Sequence, residues 1–261
     1  MPCDAQDIQF YADLLCDAER SRTAVGPLTS ERPSLSVDDA YRIQLANIDR
    51  CRALGHMISG KKIGLTSVGI QRQMGVSEPD YGHLFTTMDC SLGTVKTSEL
   101  IQPKIEGEVA FILNRDLTGG HVTAEDVHQA TDYVIAAFEV VDSRIADWKI
   151  GLADTIADNA SSGRYILGLQ RVSLCKIDLA KVSMSLYRNG QLVETGTGSA
   201  VMGDPVLSVA WLANKLWQYG VALEAGEVIL SGSFSAAPVA QKGDVFRADF
   251  TGLGSVIACF K

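Results

Sequence analysis

The chain has 261 residues, 46% of them apolar and 21% charged, with a formal net charge of −8. That profile describes a globular protein long enough to bury a substantial core, as one large domain or two small ones. An acidic balance without a Lys/Arg block argues against nucleic acid and anionic membranes as partners, but not against an anionic small molecule, because a bound divalent cation dominates its local field.

The N-terminus, Met1-Pro2-Cys3-Asp4-Ala5-Gln6-Asp7, lacks the basic region and apolar stretch of a signal peptide, and no apolar run reaches the roughly 18 residues of a membrane span. Cys3, Cys16, Cys51, Cys90, Cys175 and Cys259 show no CxxC spacing, so they read as reduced thiols and the expected compartment is the cytoplasm. From about residue 5 to 22, Ile8, Tyr11, Leu15 and Ala18 recur at helical spacing. A loop with Pro27 and Pro33 follows. Ser36 then caps a helix whose apolar face is Ala40, Ile43, Ala46 (or Leu45) and Cys51, ending near Gly55.

Met57 to Leu65 is a short mixed run, after which Thr66-Ser67 is placed to cap a short helix through Met74. Beyond Ile101, β-like segments become frequent: 106–113, 133–141, 182–187, 227–230, 245–250 and 255–260. Two helices interrupt them, one from about Thr123 and one from Asp204-Pro205 to Gly220. The order predicts an α+β fold with a mostly antiparallel or mixed sheet system. The expected organisation is a helical N-terminal portion, 1–75, packed on a β-rich catalytic domain, 76–261.

The carboxylates carry the chemistry. On a strand, Glu106 and Glu108 project to one face while Val109, Phe111 and Leu113 cover the other. That face is either solvated or a site, and the apolar continuation through Leu113 points to a central strand. Two carboxylates so close repel unless a proton or cation sits between them. Glu139 lies in the apolar run Tyr133 to Val141, where an ionised carboxylate needs a partner: Arg144, a lysine or a metal. Three oxygen ligands without histidine suit Mg²⁺ or Mn²⁺ better than zinc. His56, His83, His121 and His128 have no metal-ligand spacing, and His83 reads as a structural or surface residue. Gly196-Thr197-Gly198 reads as a loop without the strand and helix that a dinucleotide site needs, and Trp148, Trp211 and Trp217 read as core.

Several segments occur in a telling order: Gly60-Lys61-Lys62-Ile63-Gly64-Leu65-Thr66-Ser67, Pro79-Asp80-Tyr81-Gly82, Pro103-Lys104-Ile105-Glu106-Gly107-Glu108, Phe138-Glu139-Val140-Val141-Asp142-Ser143-Arg144 and Ala157-Asp158-Asn159-Ala160-Ser161-Ser162. Together with Gly226 to Ser233 and Gly252 to Val256, they resemble the hydratase/decarboxylase branch of the fumarylacetoacetate hydrolase superfamily over nearly the whole chain. The resemblance implies a mixed β-roll and a Mg²⁺ or Mn²⁺ site held by Glu106, Glu108 and Glu139. It puts Lys62 at the family's active-site lysine and Asp80 at the acid/base carboxylate of the hydratases. It also implies homo-oligomers, and for some members a complex with the sister enzyme of an aromatic meta-cleavage pathway.

Two chemistries divide that branch: hydration of 2-hydroxypenta-2,4-dienoate to 4-hydroxy-2-oxopentanoate, and decarboxylation of 2-oxo-3-hexenedioate. Both use a metal as Lewis acid. Hydration also needs a group that moves protons and directs water to C4. Decarboxylation does not, and a carboxylate there would repel the departing one. Decarboxylases of the branch tend to carry an apolar residue at that position, so Asp80 favours the hydratase, although Asp in Pro-Asp-Tyr-Gly is also an ordinary turn residue. Lys62 would hold the substrate carboxylate or enol oxygen, or shuttle a proton if its pKa is depressed. Of Lys61 and Lys62 one is expected to point outward, since neighbours on a strand face opposite ways. Leu65, Thr66 and Ser161 are the candidate substrate contacts. A non-catalytic partner subunit would not need this set of side chains, and a C–C hydrolase would need an upstream His/Glu dyad that is not evident.

Overall fold

The computed structural model describes residues 2–74 and 76–261. Helix α1 (Ala5–Ser21) starts where Asp4 accepts the N–H groups of Gln6 and Asp7 while the Asp7 carboxylate reaches back to the Asp4 N–H, a reciprocal cap of about 1 kcal/mol. Its buried stripe is Ile8, Tyr11, Ala12, Leu15 and Ala18, as the spacing predicts. After the short α2 (Leu28–Glu31), α3 (Val37–Ala53) begins at Ser36, whose hydroxyl accepts the Asp39 N–H at 3.1 Å.

The remaining elements are β1 (Ile58–Gly64), α4 (Val68–Met74), β2 (Asp80–Phe85), β3 (Thr94–Val95), β4 (Lys104–Leu113), α5 (Ala124–Ala130), β5 (Thr131–Val141), α6 (Leu152–Ala157), β6 (Ser162–Leu167), β7 (Ser183–Arg188), β8 (Gln191–Thr197), α7 (Pro205–Trp217), β9 (Val228–Leu230), β10 (Val245–Phe250) and β11 (Gly254–Phe260). They form a six-stranded sheet in the order β2-β1-β9-β4-β5-β6 and a five-stranded sheet in the order β3-β11-β10-β7-β8. Among the described strand pairs, β1/β9 and β3/β11 are parallel and the others antiparallel, so the sheets are mixed and the fold is α+β as expected.

The six-stranded sheet curls on itself. Beyond β2, Asp89 pairs with Tyr165 of β6, and the Cys90 N–H donates to the Tyr165 carbonyl at 2.8 Å. The outer face of the curl carries Ile105, Val109, Phe111, Val134, Phe138 and Val140 into the main core; each buried Phe there contributes roughly 2–3 kcal/mol. The inner face carries Leu84, Ala110, Ile135, Ala137, Tyr165, Val228 and Leu230 at one end. At the other end, on the same face by register, lie Glu106, Glu108, Glu139, Lys62 and Asp80.

β1, within the expected N-terminal portion 1–75, is hydrogen-bonded between β2 and β9. The structure revises several expectations. Asp80-Tyr81-Gly82 is strand rather than turn, and all six residues of β2 are buried. Lys61 and Lys62 are both buried, because the sheet is covered on both faces here: Lys61 pairs with Glu227. Gly196 and Thr197 belong to β8 rather than to a loop. His83 is buried, which fits the structural alternative and not the surface one. None of the three tryptophans is fully buried; Trp148 and Trp211 are partly exposed and Trp217 is half exposed, since α7 turns it outward near its end.

Candidate active site

The site begins with the pairing of β4 and β5, which sets Glu106 directly opposite Glu139. Glu108 is one pleat further along the same face, and a ligand oxygen from each of the three can be chosen so that all lie within 4.8 Å of one another. Glu108 and Glu139 are buried and Glu106 is partly exposed at the rim. The Glu108 Oε2 accepts the Gly232 N–H at 2.8 Å. Gly232 has φ +112°, and a Cβ there would stand 2.4 Å from the Thr66 hydroxyl, so only glycine lets this loop donate to Glu108 with Thr66 against it.

Glu108 Oε1 and both oxygens of Glu139 have no hydrogen-bond partner. Lys62 Nζ lies 3.2 Å from Glu139 Oε1, within ion-pair reach but outside hydrogen-bond geometry. Buried carboxylate oxygens left this way are costly, and a hard divalent cation is the partner that satisfies several at once. The residues present therefore fit such an ion.

The electrostatics agree. Burial, then the Glu139 charge, pushes the Glu106 carboxyl up to about 7. Burial, then Glu139 and Glu106, raises Glu108 well above the carboxylate range. Burial also raises Glu139, with Lys62 opposing it. For Lys62, burial works against the charge, but Glu139, Asp80, Glu106 and Glu108 outweigh it and the pKa rises. With these neighbours Lys62 is held as the ammonium rather than poised to lose its proton.

Asp80 faces Gly64 across the β1/β2 pair, where a Cβ on residue 64 would sit 2.2 Å from Asp80 Oδ1. Its Oδ2 accepts the Thr155 hydroxyl at 3.1 Å, while Oδ1 is buried without a partner. Burial raises the Asp80 pKa, opposed by Lys62 and by the Thr155 hydroxyl. Leu65 follows β1 with φ 56°, an uncommon conformation for a side chain of its size, and its carbonyl accepts Gln71 Nε2 at 2.7 Å. Thr66 is buried. Together with Ile63, Gly64, Glu106, Ala200 and the 233–235 loop, these two line a cavity of about 80 Å³ at the rim of the carboxylates. Five of the residues singled out in the sequence, Leu65, Thr66, Lys62, Asp80 and Glu106, thus cluster with Glu108 and Glu139.

Ser161 is arranged differently. Asn159, Ala160 and Ser161 all have positive φ, at 52°, 49° and 54°, and each non-glycine residue there costs about 1–2 kcal/mol. The turn is held by Arg144, whose guanidinium pairs with Asp158 and donates to the carbonyls of Asp142 (2.6 Å) and Ser162 (2.8 Å). Asn159 clasps the His83 backbone through its side-chain amide, at 2.8 and 2.9 Å. The Ser161 hydroxyl is turned to Asp158 at 3.3 Å. Burial, opposed by Arg144, pushes Asp158 up to about 6, and burial, then Lys61 and Arg52, pushes His83 down to about 3. Sequence reasoning missed Thr155, Gly232 and the Arg144–Asp158 pair. Thr155 lies in the six-residue α6, too short for its spacing to register, and the Arg144–Asp158 pairing is long-range.

A curled mixed sheet that gathers three acidic side chains, a buried lysine and a buried aspartate on its inner face has the donor set for a divalent cation, with ionisable groups beside it. The sequence profile described as fumarylacetoacetate (FAA) hydrolase C-terminal matches residues 83–261, and the chain belongs to the fumarylacetoacetate hydrolase family. It is 45% identical to a 2-hydroxyhexa-2,4-dienoate hydratase of Comamonas testosteroni, covering 97% of each chain. It is 47% identical to a 2-keto-4-pentenoate hydratase of Paraburkholderia xenovorans, covering 96% of this chain and 94% of that one. Among solved structures, the 4-oxalocrotonate decarboxylase of Pseudomonas putida G7, complexed with magnesium and adipate, superposes with a TM-score of 0.96 at 38% identity over 99% of both chains.

Proposed function

We propose that the protein is a hydratase that adds water to 2-hydroxypenta-2,4-dienoate, or a substituted analogue, giving a 4-hydroxy-2-oxo acid in aromatic meta-cleavage catabolism. The observation that carries this reading is Asp80: a buried carboxyl with one unpartnered oxygen, on the same face of the sheet as the acidic triad. The near full-length identity to hydratases of 2-hydroxydienoates and 2-keto acids supports it. Glu106, Glu108 and Glu139 would hold Mg²⁺ or Mn²⁺. When bound, that ion supplies Lewis-acid stabilisation of negative charge on the substrate's 2-oxo oxygen.

The protein's own groups do the rest. Lys62, held as the ammonium, donates to the substrate carboxylate or enol oxygen and keeps a positive charge where the enolate develops. The 2-hydroxydienoate first ketonises, its 2-OH proton leaving as C5 gains one, to give the 2-oxo-3-enoate. Asp80 Oδ1 then takes a proton from water as the water oxygen bonds to C4 and the C3=C4 π pair shifts toward the 2-oxo oxygen, and Asp80 returns that proton to C3 as the ketone re-forms. Leu65 and Thr66 orient the carboxylate end of the substrate, and Ser161 contributes a further contact if its hydroxyl swings from Asp158. The protein would act in the cytoplasm as a homo-oligomer, with a complex with a sister pathway enzyme as a further expectation.

The second reading is decarboxylation of 2-oxo-3-hexenedioate, favoured by the close superposition on a decarboxylase. Offering each substrate separately with Mg²⁺ or Mn²⁺ and following dienol absorbance, product and CO₂ tests both. Metal-dependent formation of 4-hydroxy-2-oxopentanoate, lost in Asp80→Asn, is expected. CO₂ from the dicarboxylate with no hydration of the dienoate would reassign the reaction.

A further inference from the structure

The buried end of the site holds a hydrogen bond that the family resemblance does not assign a role. Thr155, on α6, is 4% exposed and donates to Asp80 Oδ2 at 3.1 Å. That bond fixes the carboxyl plane and leaves Oδ1 as the one free oxygen. A threonine hydroxyl can donate only once, so its single proton is committed to Asp80. The two partners come from elements 75 residues apart in sequence, and something must set their separation.

Gln44 does so. It is fully buried on α3, and its single Nε2 donates to the carbonyl of Tyr81 at 3.0 Å and to that of Ile156 at 2.8 Å. Tyr81 is the residue after Asp80, and Ile156 the residue after Thr155. One amide thus bridges the two backbones immediately beside the Asp80–Thr155 bond. The start of α6 is fixed independently, because the buried Asp154 carboxylate accepts the Thr29 N–H and hydroxyl, at 3.0 and 2.6 Å, and the Gly151 N–H at 2.9 Å.

We infer that Thr155 is a positioning residue for Asp80, and that the Gln44 amide sets the distance at which it works. The N-terminal helical layer, through α3, is then part of the acid/base apparatus rather than a cover for the sheet. This inference rests on the reading of Asp80 as the proton-moving group of hydration.

The test compares Thr155→Val, Thr155→Ser and Asp80→Asn with wild type, all loaded with Mg²⁺, on 2-hydroxypenta-2,4-dienoate. Removing the hydroxyl from a charged acceptor is expected to lower kcat about 10- to 100-fold, with KM within about twofold of wild type because ground-state binding is untouched. Thr155→Ser should restore kcat to within about threefold, since the donor is retained. The rise in thermal midpoint on adding Mn²⁺ to metal-stripped protein should match wild type in all three, although Thr155→Val, which leaves a buried acceptor unpaired, starts from a lower midpoint. If the valine variant does not fold, Thr155→Ala carries the same comparison. Gln44→Met is expected to lower kcat in the same direction and to add less than its full effect on the Thr155→Val background, as groups acting through one bond do.

Wild-type kcat in Thr155→Val beside an inactive Asp80→Asn would overturn the inference and leave the hydratase reading standing. Equal losses in the valine and serine variants, with the thermal midpoint lowered in both, would overturn it as well, assigning Thr155 to packing. No hydration by wild type would overturn the hydratase reading and the inference that depends on it.

Discussion

Two groups of buried charge sit on neighbouring parts of this molecule, and their hydrogen bonding is opposite. Around Arg144 and Asp158 everything is satisfied: Asp158 accepts the Ser143 hydroxyl (3.0 Å), the Arg144 N–H (3.0 Å) and the Ser161 hydroxyl, and the Arg144 guanidinium is spent on Asp158 and on backbone carbonyls. Around Glu106, Glu108, Glu139 and Asp80, four buried carboxylate oxygens have no hydrogen-bond partner. Both arrangements cost desolvation. The first turns it into a fixed framework for a strained turn, whereas the second leaves acceptors open for a cation, a substrate or a water. Completeness of hydrogen bonding, more than burial or charge, separates scaffold from site.

The comparison breaks most sharply if a triad carboxylate proves dispensable. Glu139→Gln should lower turnover by about 10³-fold or more, since a Lewis acid contributes several kcal/mol to the transition state. The thermal midpoint of the metal-free protein should change little, because relief of the repulsion with Glu106 and Glu108 offsets the lost ion pair with Lys62. Asp158→Asn should behave in the opposite way. Breaking a buried, fully bonded pair costs about 3–5 kcal/mol, a fall of roughly 6–20 °C in thermal midpoint for a chain of this size, with lost activity following lost structure.

A pH series sharpens the contrast further. Glu106 is raised from its ordinary 4.5 to about 7 in the fold, so the folded state binds more protons than the unfolded chain between those values. The Glu106 contribution to the stability of the metal-free protein is therefore fully present below the unfolded pKa and is lost as pH rises through the folded one. Saturating Mn²⁺, at about 100 times its dissociation constant, should restore about 5–10 °C at pH 8 and less at pH 5, where protons compete for the carboxylates. Scanning calorimetry at both pH values, with and without the ion, reads this directly. The smallest effect on turnover is expected for Lys61→Met. Lys61 pairs with Glu227 on the opposite face of the strand, so kcat should stay within about threefold of wild type even as stability drops, whereas Lys62→Met should be nearly inactive.

The elements legible in the sequence were those whose periodicity survives function. α1, α3 and the β4/β5 pair declare themselves by spacing, and the shared face of Glu106 and Glu108 follows from strand geometry alone. β2 was hidden because Asp80, Gly82 and His83 break its apolar pattern and because Pro79-Asp80 has turn chemistry; it is a fully buried strand whose polar residues are there for the site or for local bonding. β6 and α6 were missed for shortness and mixed composition. The outward lysine failed because strand alternation states that neighbours face apart, not that either face is wet. Thr155 and Gln44 act through contacts to Asp80 and Tyr81 from α6 and α3, which no local pattern encodes.

On the proposed mechanism, three carboxylates on one face hold a single divalent cation on which hydration depends. Its most direct test is Mn²⁺ binding by equilibrium dialysis on metal-stripped protein, with turnover of 2-hydroxypenta-2,4-dienoate measured on the same samples. One ion per chain, turnover rising in proportion to occupancy, and loss of both in Glu139→Gln is the expected result. Undiminished turnover from stripped protein carrying no bound metal would contradict it.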